Sequence, residues 1–72
     1  MFKINERIKY LRTEKNLTQK KMAKIIGVKE VSYQRYEYGH SIPNLIKLVF
    51  LADYFDVSLD YLVGRSDSPE RK

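Results

Sequence analysis

Residues 17–39, LTQKKMAKIIGVKEVSYQRYEYG, decide how this chain is read, because the stretch falls into two short helical segments with a tight turn at Gly27 between them. In the first segment Met22, Ala23, Ile25 and Ile26 share one side, and Lys20, Lys21 and Lys24 face the other way. Thr18 is a good N-cap, since its hydroxyl oxygen takes up one of the free backbone N–H groups. Lys21 stands where Glu or Gln would complete a capping box. Two lysines in a first turn oppose the helix dipole at a cost of about a few tenths of a kcal/mol each, which a nearby phosphate would offset; Lys24 is read as extending into water. In the second segment, about Lys29 to Tyr38, Glu30, Gln34 and Tyr38 recur at steps of four with Val31 and Arg35 beside them. At 100° per residue these five positions span roughly 140° of arc and leave Ser32, Tyr33, Tyr36 and Glu37 on the other side. One face is set up to hydrogen-bond and the other to pack. Lys29 occupies the N-cap position although its side chain only donates, and a local rule broken at a helix terminus marks a place to look for function. Glu30 next to it either answers the positive end of the dipole or belongs to a binding face.

Outward from this stretch, Ile4, Ile8 and Leu11 form the buried stripe of a first helix that starts near Ile4 or Asn5 and ends near Lys15. Phe2 is expected to close over its start. Asn16 suits the left-handed residue at a helix end, and Leu17 then enters the core. On the other side, Gly39 closes the second segment and residues 40–43 form an exit loop. Asn44 caps a helix that runs to about Phe55, with Leu45, Leu48, Val49, Leu51, Ala52 and Phe55 as its apolar set, which makes it the expected central pillar. Ser58 caps a last short helix, Leu59 to Val63, stopped by Gly64. The expected fold is all-α, a compact five-helix domain over residues 1–64, followed by a polar tail, 65–72, that contains Pro69 and is expected to fray.

Seventy-two residues allow one small domain, and 43% hydrophobic with 32% charged residues is the composition of a folded chain. The absence of cysteine removes disulfides and thiolate ligands, and the single His40 cannot assemble a structural zinc site, so no metal or cofactor is expected. No apolar run approaches the ~20 residues that span a bilayer, and the reading is a cytoplasmic protein without membrane contact. The net charge of +5 is unevenly placed: residues 1–47 carry eleven Lys or Arg and four Glu (+7), and residues 48–72 carry three against five acids (−2). A basic first part fits a solvated face or a polyanion partner about equally well. An enzyme is the least favoured class. His40 beside Ser41 is the one nucleophile and base neighbourhood, with no acid near in sequence to orient the imidazole and no sign of a small-molecule substrate site.

The pattern resembles the phage repressor and Cro type of helix-turn-helix, the Xre-like family of bacterial and phage regulators. The resemblance runs from Ile8 to Gly64 and is carried by Ile8 with Leu11-Arg12, Leu17-Thr18-Gln19, Ala23, Gly27-Val28, Tyr36-Glu37 before Gly39, Pro43, and Val57-Ser58-Leu59-Asp60-Tyr61-Leu62-Val63-Gly64. It implies a lambda-repressor-like domain whose third helix enters the major groove of double-stranded DNA while the second crosses the backbone. It further implies that Gln19 binds a phosphate and braces the reading helix, and that Arg12 and Glu37 form a buried ion pair. Base contacts fall by the same resemblance to Glu30, Val31, Gln34 and Arg35. Arg35 has the fork for guanine, Gln34 the amide for adenine, Val31 the methyls for thymine and Glu30 the acceptor for cytosine, with a phosphate as the alternative partner of Arg35. Lys20, Lys21, Lys29, Ser32, Tyr38, Asn44 and Lys47 make up the expected backbone set. The chain departs from the family pattern in three places. Lys20 and Lys21 replace frequent acids, Lys29 replaces Ser or Thr, and Tyr33 replaces an aliphatic residue on the packing face. Function is then expected to be sequence-specific transcription regulation, as a repressor bound as a homodimer to an inverted repeat. Leu59, Tyr61, Leu62 and Val63 either supply the dimer contact or cap the monomer core. Control would come from concentration, a regulatory protein partner or proteolysis. The alternative is a protein-interaction module on the same fold, of the antitoxin or anti-repressor kind.

Overall fold

The computed structural model describes residues 3–71, so the closure expected of Phe2 lies outside the described residues. Five helices follow one another: α1 (Ile4–Glu14), α2 (Gln19–Ile26), α3 (Glu30–Tyr38), α4 (Leu45–Phe55) and α5 (Leu59–Leu62). The fold is all-α, and among the described residues no helix is long and apolar enough to cross a membrane. Each boundary has a local cause. Thr18, Asn44 and Ser58 accept from the backbone N–H of Lys21, Lys47 and Tyr61 at 2.9–3.0 Å. The four breaks between helices rest on left-handed residues at Asn16 (φ 57°), Gly27 (φ 86°), Gly39 (φ 79°) and Asp56 (φ 55°), conformations that Gly, Asn and Asp adopt at least cost.

Ile8, Met22, Ala23, Tyr33, Leu51, Ala52, Phe55, Val57 and Leu62 form the core, with Leu11, Leu17 and Leu48 packed around them. α3 packs on α2 and on α1, and α4 packs on α5. Three expectations change. α4 is a pillar on one side only: Leu48, Leu51, Ala52 and Phe55 face inward, whereas Leu45 is 66% exposed and Val49 43%. Both belong to the apolar set read from sequence, because large apolar residues recur on every turn of the segment and periodicity alone does not choose a side. α5 ends at Leu62, one residue early, and Leu62 is fully buried in the monomer. Residues 65–71 are tied back to the domain rather than standing clear of it. Pro69 C=O accepts from Ser58 N–H at 3.0 Å, Arg71 donates to Ala52 C=O and to the Asp53 carboxylate at 3.1 and 2.6 Å, and Arg65 N–H donates to Asp60 C=O at 2.8 Å. Arg7, fully buried, stacks its guanidinium 3.6 Å above the Tyr61 ring and lies 3.8 Å from Asp67, joining α1 to α5 and the tail.

Candidate nucleic-acid interface

α2 and α3 meet across Gly27, whose left-handed backbone turns the chain while its N–H still donates to Ala23 C=O. Lys29 takes the N-cap of α3 in extended conformation without a side-chain hydrogen bond, as its chemistry requires. The first turn of α3 thus keeps N–H groups with no side-chain acceptor. Lys20, Lys21 and Lys29 stand exposed around this junction.

The inner side of α3 is polar where a small core is usually apolar. Glu37 is buried, and its carboxylate is surrounded by donors from three helices. Arg12 of α1 gives Nε to Oε2 at 2.5 Å and Nη2 to Oε1 at 3.0 Å, Gln19 of α2 gives Nε2 to Oε1 at 3.0 Å, and the Tyr33 hydroxyl, one turn back on α3, gives to Oε2. Arg12 also donates Nη1 to Leu17 C=O at 2.6 Å, which seats its guanidinium against the turn between α1 and α2. Burial alone would push the Glu37 carboxyl up. The donors from Arg12, Tyr33 and Gln19 outweigh it and hold the pKa below the usual carboxylate range. The same contact raises the Arg12 pKa, chiefly through the Glu37 hydrogen bond. Tyr33 is held neutral, first by burial and then by its bond to Glu37. A carboxylate that accepts from both α1 and α2 fixes α3 in rotation as well as in position, because these bonds are directional.

The outer side follows from that anchoring. Glu30, Val31, Arg35 and Tyr38 are exposed and Gln34 is half-buried, so the arc read from spacing is a continuous surface of α3. Val31 and Tyr38 are each 60% exposed, and Tyr38 sets its ring edge-on to His40 with centroids 6.4 Å apart. Gln34 Nε2 is shared between Gln19 Oε1 at 3.4 Å and Glu30 Oε2 at 3.5 Å, both long bonds that a better partner could replace. Gln19 thereby links the buried carboxylate to the outer arc: it donates inward to Glu37 and accepts from Gln34. Of the expected backbone set, Ser32 and Lys47 are half-buried, and the Asn44 oxygen is committed to capping α4. Of the residues assigned to a dimer contact, Leu62 is fully buried in its own core, Tyr61 is half-buried with Arg7 over one face of its ring, Leu59 is 37% exposed and Val63 half-buried.

Sequence reasoning missed two features. The resemblance implies that Gln19 braces the reading helix but does not name Gln34 as a partner, which lies fifteen residues away on a different helix where no local pattern marks the link. Arg7 did have a signal: it sits at helical spacing between Ile4 and Leu11, on the buried stripe, and its charge alone set it aside.

Comparison with known proteins points the same way. Residues 8–62 match the helix-turn-helix family. The HTH-type transcriptional regulator YobD of Bacillus subtilis is 42% identical over 67 residues, which cover 93% of this chain and 60% of that one. The transcriptional repressor RstR of the cryptic phage CTXphi in Vibrio cholerae is 40% identical over 70 residues, 97% of this chain and 62% of that one. The chain thus spans about three fifths of the length of these two relatives. Among solved structures, a transcriptional regulator from Listeria innocua superposes with a TM-score of 0.83 at 32% identity, over 86% of this chain and 58% of that one. The P22 c2 repressor in complex with a synthetic operator superposes with a TM-score of 0.81 at 27% identity, over 92% of this chain and all of that one.

Proposed function

The chain belongs to the helix-turn-helix family of transcriptional regulators rather than to a family of enzymes, and from that premise we propose that it is a cytoplasmic repressor that binds double-stranded DNA sequence-specifically as a homodimer on an inverted repeat. The observation that carries the reading is the α3 arc: four side chains of complementary hydrogen-bonding and apolar character, Glu30, Val31, Gln34 and Arg35, on a helix whose opposite side is locked by Glu37. α3 enters the major groove, with Arg35 and Gln34 addressing purine edges and Val31 a thymine methyl. Lys20, Lys21 and Lys29 contact phosphates, assisted by Gln19, Ser32, Tyr38, Asn44 and Lys47. Phosphates there would answer the lysines that oppose the α2 dipole and the uncapped first turn of α3. Two copies would place their α3 helices about one DNA turn apart, roughly 34 Å.

Selection of bound sequences from a random DNA pool tests this directly, and the expected product is an inverted repeat. On that operator, replacing Gln34 and Arg35 by Ala should abolish most discrimination against random DNA at nearly unchanged thermal stability. Equal losses on operator and random DNA would move both residues to the backbone set. Binding that did not weaken by about tenfold or more between 50 and 200 mM salt would refute the phosphate contacts.

A further inference from the structure

Gln34 joins the outer arc of α3 to the buried side of the helix, and the chemistry of its neighbours settles which end of its amide points out. Glu37 begins the series. A carboxylate only accepts, so Gln19 turns its NH2 inward, giving the 3.0 Å bond from Nε2 to Glu37 Oε1, and its own Oε1 is left facing Gln34. The half-buried Gln34 therefore lies between two oxygen acceptors, Gln19 Oε1 at 3.4 Å and Glu30 Oε2 at 3.5 Å, and its Nε2 faces both. Turning the amide over would set its carbonyl oxygen against those two oxygens. The orientation does not need strong bonds, because the alternative is repulsive. Both hydrogens of the NH2 are directed into the protein, and the group left outward is the carbonyl oxygen, which accepts and cannot donate.

We propose, resting on the reading that α3 enters the major groove, that Gln34 is a single acceptor for an exocyclic amino group of a base, and that Glu30 is the residue that positions it rather than a base contact of its own. Adenine N6 and cytosine N4 are the amino groups displayed in that groove, while guanine and thymine present the oxygens O6 and O4. A bidentate adenine contact also needs a donor to N7, and Gln34 has turned its N–H groups toward Glu30 and Gln19. The base opposite Gln34 is then chosen as amino against keto, A or C over G or T, rather than as adenine alone. Glu30 stands one turn before Gln34 on the same helix, the spacing at which side chains meet. That placement gives an acid on a phosphate-facing helix a use that requires no base of its own.

The operator obtained by selection supplies the DNA, and the position read by Gln34 is the one at which Gln34→Ala flattens base preference. There the wild-type chain should favour A and C over G and T by about tenfold or more, with A and C within about threefold of each other. With adenine at that position, 7-deazaadenine lacks N7 and keeps the amino group, and its Kd should rise less than about twofold; unsubstituted purine lacks the amino group and keeps N7, and its Kd should rise about fivefold or more. Each ratio is taken against the same ratio for Gln34→Ala, which cancels duplex stability and contacts from other residues. Glu30→Ala frees the amide to turn, so the amino preference should shrink by about threefold or more and loss of N7 should begin to weaken binding, a change of readout that altered stability alone does not produce. Glu30→Gln, which restores an oxygen acceptor, should keep the wild-type pattern. A 7-deazaadenine penalty as large as the purine penalty indicates a bidentate contact and overturns the proposal while the groove reading stands. So does a preference for G or T at that position, a Gln34→Ala variant that flattens no position, or a Glu30→Ala variant with the wild-type pattern. A chain that selects no operator overturns the groove reading, and the assignment of Gln34 with it.

Discussion

α3 and α4 are similar in length and lie in the same small domain, yet they are held by opposite means. α3 is anchored by directional polar bonds to a buried carboxylate and shows a hydrogen-bonding surface outward. α4 is anchored by Leu51, Ala52 and Phe55 and shows an apolar surface outward. Hydrophobic contact is non-directional and lets a helix settle to best packing, whereas two or more hydrogen bonds to one carboxylate fix rotation about the helix axis. A helix that must present particular atoms to a ligand gains from the second kind of anchor. A helix that offers surface area needs only the first.

The largest effect should come from breaking the polar anchor. Arg12→Ala leaves the Glu37 carboxylate buried with only Tyr33 and Gln19 to answer it and should lower unfolding free energy by about 3–5 kcal/mol, read from urea denaturation. Leu51→Ala, the corresponding deletion under α4, should cost about 2–5 kcal/mol through the cavity it opens. The two sites separate on rescue. Arg12→Met with Glu37→Leu should restore most of the stability, since buried ion pairs are often replaceable by apolar residues of similar volume. If the anchor sets the rotation of α3, that double variant should remain defective in discriminating operator from random DNA. Full recovery of both properties would show that the ion pair has no orienting role.

Next in size is Tyr33→Phe, which removes one donor to Glu37 and keeps the ring in the core. A hydrogen bond to a charged group contributes about 1.5–3 kcal/mol, and a loss in that range is expected in thermal or urea unfolding. A loss below about 0.5 kcal/mol would mean that Arg12 and Gln19 satisfy the carboxylate unaided. The same group sets the acid limit of the fold. Because the Glu37 pKa is depressed in the folded state, its contribution is fully present above the unfolded carboxyl pKa of about 4.3 and is lost as pH falls from there through the folded value. Unfolding followed between pH 7 and 2 should show a steep decline beginning below about pH 5. Glu37→Gln should start less stable and decline less over that interval.

The polar side of the molecule was the more legible in sequence. Thr18, Asn44 and Ser58 marked three helix starts by their capping chemistry, Asn16, Gly27 and Gly39 marked three ends by tolerance of positive φ, and the spacing of Glu30, Val31, Gln34 and Arg35 placed the outer arc. Arg12 opposite Glu37 came from family resemblance, since nothing local pairs residues twenty-five apart. Apolar character was the poorer guide. Every turn of α4 carries large hydrophobic residues, so periodicity gave no inside, and Leu45 and Val49 were placed in a core they do not enter. The hold of residues 65–71 on α4 and α5 is illegible for the complementary reason: it is made by backbone carbonyls and Arg71, which composition does not reveal.

The smallest effect concerns the one helix start that breaks the capping rule. Lys29→Asp would supply the missing acceptor for the first turn of α3 and place a negative charge at the positive end of its dipole, so the isolated domain should gain about 1 kcal/mol in unfolding free energy. On DNA the sign should reverse if Lys29 contacts phosphate as proposed, because the substitution removes that cation and adds an anion in its place. Affinity for operator and random DNA should fall together, and the slope of log affinity against log salt should become shallower by about one to two units, counting the lost cation and the added anion. Those opposite responses separate the two readings of Lys29. If stability rises while DNA affinity is unaffected, the lysine is a neutral surface residue. If stability rises while affinity falls with a shallower salt slope, the first turn of α3 is left without a side-chain cap because a phosphate occupies that position.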